Sequence, residues 1–229
     1  MKKEALPMAV KTPKGYKGIG MNGVIATWYA RNTKKSIEEY KKDAQKVAEG
    51  LSGGEEILEL APGPGYLSIE LAKLGNFRIT GLDISETFVE IARKNAREAG
   101  VGIDFRHGDA SSMPFADHSF DFIVCRAAFK NFSRPVTALD EMHRVLKPGG
   151  RALILDLRGD VSREAVEKHV REDLGLSGIN RLMTRWAFEF MLIKRAYTKE
   201  AFEQLVSKSR FKTCDIREST ISLEVWLQK

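Results

Sequence analysis

The stretch Ile57-Leu58-Glu59-Leu60-Ala61-Pro62-Gly63-Pro64-Gly65 decides the fold. A short apolar run, Ile57 to Ala61, reads as a buried strand. It runs straight into a turn with two glycines two residues apart, and helical spacing resumes at once over Tyr66 to Leu74. Glycines let backbone turn sharply and approach a ligand closely. The helix that follows presents free N–H groups at the crevice beyond the strand end. A Gly-x-Gly turn alone is equally well an ordinary strand-to-helix connection, so the reading has to be built outward from it.

Outward, the same rhythm repeats. Ser36 opens a helix as N-cap, with Glu39 placed as in a capping box, and Ile37, Tyr40, Ala44, Val47, Ala48 and Leu51 mark its apolar face. Phe77 to Leu82 is a second strand. Ser85 caps a helix with its stripe at Phe88, Ile91, Ala92, Ala96 and Ala99, and Gly100 ends it. Strands follow at Val101 to Arg106, Phe120 to Cys125 and Arg151 to Leu157. Between the last two, Ser133 and Pro135 start a helix that Lys147-Pro148-Gly149-Gly150 terminates and turns. Phe211 to Arg217 and Ile221 to Leu227 are joined too closely to be parallel. The expectation is a Rossmann-like doubly wound α/β fold. Its seven-stranded sheet has six parallel strands and one antiparallel C-terminal strand, with helices on both faces.

Two departures set the domain limits. Residues 1–35 carry Lys2, Lys3, Lys11, Lys14 and Lys17 with little helical or strand patterning. They read as a partly mobile N-terminal segment ahead of a domain over 36–229. Around 174–197, Ile179, Leu182, Met183, Trp186 and Phe190 follow helical spacing, while Phe188, Met191 and Leu192 add a second apolar face. A helix apolar on so many sides has to be covered twice, which suggests a lid.

Composition narrows the class. Of 229 residues, 43% are apolar and 30% charged, so the chain is not intrinsically disordered. No run approaches the roughly 18 apolar residues of a membrane span, and the start lacks a secretory signal. Cys125 and Cys214 are too few for a disulfide framework, a zinc site or an arsenic acceptor. The expectation is a cytoplasmic protein without a metal. A net charge of +6 is a modest excess, which counts against a nucleic-acid partner.

The chemistry lies at strand ends. Asp83 follows Gly63 by 20 residues and closes the second strand, where a carboxylate accepts from a ribose diol. Asp109, in His107-Gly108-Asp109-Ala110, is placed either to accept from an adenine amino group or to cap its own turn. A nicotinamide or flavin fingerprint would put Gly or Ala at position 68, which is Ser68, and Glu59 would repel a pyrophosphate. A carboxylate suits a cationic, phosphate-free nucleotide ligand, and S-adenosylmethionine is such a ligand.

Five segments together resemble the successive motifs of class I S-adenosylmethionine-dependent methyltransferases, in the style of the ubiquinone/menaquinone biosynthesis group. They are Glu59 to Gly65, Gly81-Leu82-Asp83-Ile84-Ser85, Gly108-Asp109-Ala110, Phe120 to Cys125 and Arg144-Val145-Leu146-Lys147-Pro148-Gly149-Gly150. The resemblance covers roughly residues 36–157. It implies a cofactor site in which Gly63 and Gly65 lie under the methionine portion and Glu59 lies near its ammonium. Asp83 would hold the ribose, Ile84 would pack on adenine, and Asp109 would bond the adenine amino group beside Ala110. Arg126 would lie near the sulfonium, and Tyr29 would belong to an N-terminal cover. Ala61 departs from the pattern, which usually has glycine there.

Methyl transfer is an in-line displacement, so the protein aligns the acceptor and excludes water. No histidine is placed as a base. Arg126, Lys130 and Asn131, after the fourth strand, are the candidate catalytic residues, the last two to orient an acidic or phenolic acceptor. The Asn-Pro-Pro-Tyr/Phe signature of amino-group and nucleobase methyltransferases is missing. The apolar lid suggests a small, partly apolar acceptor, and the chain is expected as a monomer or homodimer. An RNA methyltransferase, a nicotinamide-dependent oxidoreductase and a non-catalytic S-adenosylmethionine-binding sensor are the alternatives. The first is weakened by the modest charge, the second by Ser68 and Glu59.

Overall fold

The computed structural model describes residues 15–17, 22–33, 36–169, 171 and 193–229. One sheet holds β1 (Glu56–Leu60), β2 (Arg78–Asp83), β3 (Asp104–His107), β4 (Phe120–Arg126), β5 (Leu146–Leu157), β6 (Asp215–Glu218) and β7 (Ser222–Gln228). Their order is β3-β2-β1-β4-β5-β7-β6. β1 to β5 pair in parallel, and β7 runs antiparallel to both β5 and β6. Six strands therefore share one direction and one is inverted, as the alternation predicts. The inverted strand lies inside the sheet, between β5 and β6, rather than at its rim.

The helices among the described residues are α1 (Gly23–Thr33), α2 (Ile37–Ala48), α3 (Tyr66–Ala72), α4 (Glu86–Ala99), α5 (Pro135–Val145), α6 (Arg163–Lys168) and α7 (Lys199–Lys208). α4 begins and ends as its sequence specifies: Ser85 Oγ accepts from Phe88 N at 3.2 Å, and Gly100 closes it left-handed. Ser36 precedes α2 but makes no capping bond. Glu39 reaches Arg126 instead of the helix start. Arg134, not Ser133, is the N-cap of α5, with Pro135 in its first turn.

Some boundaries move for local reasons. Residues 101–103 lie before β3, because Val101 N still bonds the α4 carbonyl of Ala96 at 3.1 Å. Phe211 is buried, but it precedes a turn in which Lys212 has φ +65° and Thr213 N bonds Phe211 O, so β6 begins only at Asp215. Lys147 to Gly150 belong to the extended start of β5, with a register shift against Phe120–Phe122. α1 is a correction to the N-terminal reading. Thr27 and Thr33 bond back to Gly23 O and Tyr29 O, which lets β-branched polar residues sit in a helix whose apolar periodicity is faint. Of the expected lid, residues 174–192 lie outside the described residues; 193–195 form a single 3-10 turn.

Strand side chains alternate between two cores. Ile57, Phe122, Val124 and Leu153 pack with Tyr40, Ala44, Leu67 and Leu71 from α2 and α3. Leu58, Leu60, Ile123, Cys125 and Ile154 pack on the opposite face with Ala138, Leu139 and Met142 of α5 and Phe202 of α7. A polar clamp fixes the crest above β4 and β5. Asp156 accepts from Lys130 N at 2.9 Å and from Lys130 Nζ at 2.6 Å, and both side chains are buried. Lys130 Nζ also reaches Ala127 O at 2.7 Å.

Removing one charge of such a pair strands the other in a low-dielectric interior. Asp156→Asn is expected to lower unfolding stability by about 3–5 kcal/mol. Adding Lys130→Met should recover most of that loss. Urea unfolding of the single and double variants measures both.

Candidate active site

Strand order reverses direction between β1 and β4, the position where open α/β sheets leave a crevice beyond their strand ends. A cavity of about 440 Å³ lies there, of a size suited to a small organic ligand. Its floor is the loops after β1, β2, β3 and β4. Its cover comes from Gly15, Tyr16, Asn22 and α1 with Ile25, Trp28 and Tyr29. The cover is sewn on by backbone: Tyr16 bridges Phe132, Lys17 N donates to Asn131 O at 2.7 Å, and Ser133 N to Gly15 O at 3.2 Å.

Of the residues singled out in the sequence, Tyr29, Glu59, Ala61, Gly63, Asp83, Ile84, Asp109, Ala110, Arg126 and Asn131 all line this cavity. Gly65 and Lys130 are not among the residues that line it. Gly65 starts α3 at φ +80°, where a Cβ would meet Phe105 at 2.8 Å and Ala92 at 3.0 Å, so it serves close helix–sheet packing. Lys130 is turned into the clamp with Asp156, which corrects its expected place before an acceptor. Gly63 is the position of close approach: at φ +54° a Cβ there would meet nothing within 4 Å.

Three acids occupy the ends of the first three strands. Glu59 is 3% exposed and accepts from Ser68 N at 3.0 Å and from Ser68 Oγ. Burial pushes its carboxyl up to about 7 despite those bonds. Asp83, 4% exposed, accepts from Gly63 N at 3.0 Å and Ser85 N at 2.8 Å, and burial raises it to about 6. A carboxylate has about four lone-pair sites, so Asp83 keeps capacity for a diol. Asp109 accepts from Ser111 N at 2.8 Å and pairs with Arg134 at 3.0 Å. Of its two sequence readings, the turn cap is therefore realised within the chain. Gly15 lies so close above it that a Cβ would stand 2.6 Å from Asp109 Oδ2.

The fourth strand end differs. Arg126 is held by Asp43 at 2.5 Å and Glu39 at 3.2 Å, and its guanidinium lies 4.2 Å from the centre of the Tyr40 ring. Asn131 is 8% exposed, and among the described residues its side-chain amide has no hydrogen-bond partner while lining the cavity. The amide opens onto the cavity, where a ligand can meet it. Tyr29 packs edge-on against Phe88, and burial raises both the Tyr29 and Tyr16 phenols. Sequence reasoning missed Gly15, Tyr16, Asn22, Phe132 and Arg195 as lining residues, and took Phe88 as core alone. No spacing along the chain marks Tyr16, which reaches the cavity through its bridge to Phe132.

Ala61 and Ala127 both have positive φ, at 54° and 55°. They follow adjacent parallel strands and both line the cavity. A left-handed conformation costs an L-residue roughly 1–2 kcal/mol, and glycine at the first loop position would avoid that. Ala61→Gly is expected to stabilise the protein by about 0.5–1 kcal/mol net of glycine's larger unfolded entropy, read as a rise in Tm.

Glu59 supplies a pH test. Its folded pKa of about 7 exceeds the ordinary carboxylate value of 4.5. The folded state therefore retains a proton that the unfolded chain sheds. The stability from its neutral form is complete below about 4.5 and is lost as pH rises through 7. Glu59→Gln should match the wild type at about pH 5 and exceed it by roughly 1–3 kcal/mol at about pH 8. Thermal unfolding of the two proteins across that range gives the difference.

Residues 58–154 match the family model described as a methyltransferase domain. A demethylmenaquinone methyltransferase of Chlorobaculum parvum is 39% identical over 115 residues, 50% of this chain and 46% of that protein. The chain spans about half the length of the curated relatives it matches. Among solved structures, the cyclase SpnF is 28% identical with a TM-score of 0.58, covering 78% of this chain and 58% of that one. The fold of a Methanococcus maripaludis protein described as a putative S-adenosyl-L-methionine-dependent methyltransferase superposes with a TM-score of 0.71 at 22% identity. That match covers 90% of this chain and 92% of the other. With the sheet order, the glycine loop and the acids at three successive strand ends, these matches make residues 58–154 similar to a methyltransferase domain, and about half of the chain similar to quinone-biosynthesis C-methyltransferases.

Proposed function

We propose that the chain is an S-adenosylmethionine-dependent methyltransferase that moves a methyl group to a small, partly apolar acceptor by in-line displacement. The acceptor class we favour is a demethylated quinone in its reduced form, by likeness to the demethylmenaquinone methyltransferases. The observation that carries the reading is the set of acids at the ends of β1, β2 and β3 around one cavity with a glycine loop. Bound S-adenosylmethionine supplies an already activated methyl on a sulfonium.

In this reading Asp83 accepts from the ribose hydroxyls, and Glu59 and Gly63 receive the methionine portion. Ile84, Asp109 and Ala110 flank the adenine. Tyr16 and Tyr29 close over the cavity and exclude water. Arg126 faces the transfer point with its charge offset by Asp43 and Glu39, so it does not repel a cationic ligand there. Asn131 orients the acceptor through its free amide. Holding the acceptor behind the methyl carbon is most of what such a reaction asks of a protein.

Among the described residues no helix is long and apolar enough to cross a membrane. The two cysteines are unpaired, which agrees with a cytoplasmic setting. The +6 charge supports a small-molecule acceptor over a nucleic acid. We take the protein as a monomer or homodimer.

Calorimetric titration with S-adenosylmethionine, S-adenosylhomocysteine and NADH, on wild type and Asp83→Ala, tests the reading. The first two should bind in the micromolar range, with Asp83→Ala weakening them about tenfold or more, and NADH should not bind. Transfer of labelled methyl to a short-chain demethylnaphthoquinol then separates an enzyme from a sensor. Binding of NADH alone would overturn the assignment.

A further inference from the structure

Among the described residues two arginines line the cavity, and they differ in one respect. Arg126 is neutralised by Asp43 and Glu39. Arg195, half-buried in the turn Ile193–Arg195, makes no ion pair and no hydrogen bond among the described residues. Its charge acts on the Tyr16 phenol and opposes the upward shift that burial imposes there. A guanidinium carries five donors in a planar fork that matches an oxyanion. Partly withdrawing it from water without an anion costs free energy that a ligand would recover.

The position of Arg195 separates it from the cofactor half. Ala196 N bonds Ile193 O at 3.0 Å, Gly159 N bonds Tyr197 O at 2.9 Å, and Arg158 bridges Tyr197 in parallel. The turn is thus fastened to the chain leaving β5, on the far side of β4 from Glu59, Asp83 and Asp109. On this same side stand the unpartnered Asn131 amide and the ring of Phe132, both lining the cavity. Asn131 is fixed there by Lys17 N on its carbonyl and by its own N–H on Ala128 O. A cation without an ion pair among the described residues and a carboxamide, both lining the cavity with the ring of Phe132, form half of a binding site.

We propose that Arg195, with the Asn131 amide, is an oxyanion-binding subsite for the methyl acceptor, so that the acceptor carries a carboxylate or an ionised phenol on an apolar ring. This rests on the methyltransferase reading and adds to it the charge of the substrate and the residue that selects it. Among the described residues the Arg195 side chain makes no hydrogen bond or ion pair that its replacement would break, so the variants should fold as the wild type does, and their thermal unfolding checks this.

The test uses protein saturated with S-adenosylhomocysteine at about pH 8. It is titrated with 1-naphthoate, with 4-nitro-1-naphthol (ionised at that pH) and with neutral 1-naphthalenemethanol. At least one of the two anions should bind more tightly than the neutral probe. Arg195→Gln should weaken that anion about ten- to hundredfold, Arg195→Lys less, and the neutral probe not at all. Asn131→Ala should weaken the same anion by a smaller factor. S-adenosylhomocysteine affinity, measured separately, should stay within about twofold in Arg195→Gln. Response of naphthoate alone identifies a carboxylate; response of the nitronaphtholate alone identifies a phenolate.

Equal binding of neutral and anionic probes, or anion binding that Arg195→Gln leaves unchanged, overturns the proposal. So does a wild type that takes up S-adenosylhomocysteine but none of the probes. Loss of S-adenosylhomocysteine binding in Arg195→Gln would assign the guanidinium to the cofactor's own carboxylate and overturn it as well. Failure of wild-type protein to bind S-adenosylhomocysteine at all would sink the methyltransferase reading itself, a distinct result.

Discussion

One buried carboxylate holds the site in register. Asp83 takes the N–H of Gly63 on one oxygen and the N–H of Ser85 on the other. The first bond pins the loop after β1; the second orients the residue that caps α4. Ser85 in turn donates to Asn22 Oδ1, and Gly23 N donates to Thr87 Oγ1, so the start of α1 hangs from the same α4 corner. Loop, helix and cover therefore share one anchor. That anchor sits where water is nearly excluded, which is why its carboxyl is shifted upward even with two donors aimed at it.

The backbone pays a comparable local cost. Ala61 and Ala127 follow two adjacent parallel strands with positive φ, one residue apart in register. Both line the crevice at the point where strand order reverses. Ala61 N keeps a bond to Leu82 O at 2.8 Å and Ala127 N one to Leu155 O at 2.7 Å, so each turn is braced by the neighbouring strand. Strain of this kind persists only where surrounding structure over-determines it, and here the neighbouring strands supply the constraint.

What was legible in the sequence was what depends on near neighbours. The strand–glycine–helix run, the Ser85 cap, the Gly100 stop and the acids at 59, 83 and 109 are set by spacing along the chain, and the fold places each as read. Lys130 was not legible, because its direction depends on a 3-10 turn and on a partner, Asp156, in another strand. Tyr16 and Arg195 were not legible either. One reaches the cavity through a bridge to Phe132, the other through a turn tied to the exit from β5, and neither pairing leaves a periodic trace. α1 escaped notice because its threonines satisfy themselves on the helix backbone rather than drawing an apolar stripe.

The charges of the cavity divide along β4. Carboxylates gather at the ends of β1 to β3. The one cavity-lining guanidinium without a carboxylate partner among the described residues stands beyond β4. A sulfonium ligand on the acidic side and an oxyanionic acceptor on the other would meet over β4 with opposite charges, in surroundings of low dielectric where such attraction is strong. Where the acceptor oxyanion itself takes the methyl, the sulfonium C–S bond breaks as the O–C bond forms, and cation and anion become an uncharged thioether and an uncharged ether or ester. The field that gathers the reactants then has little hold on the products, so one charge arrangement favours both encounter and release.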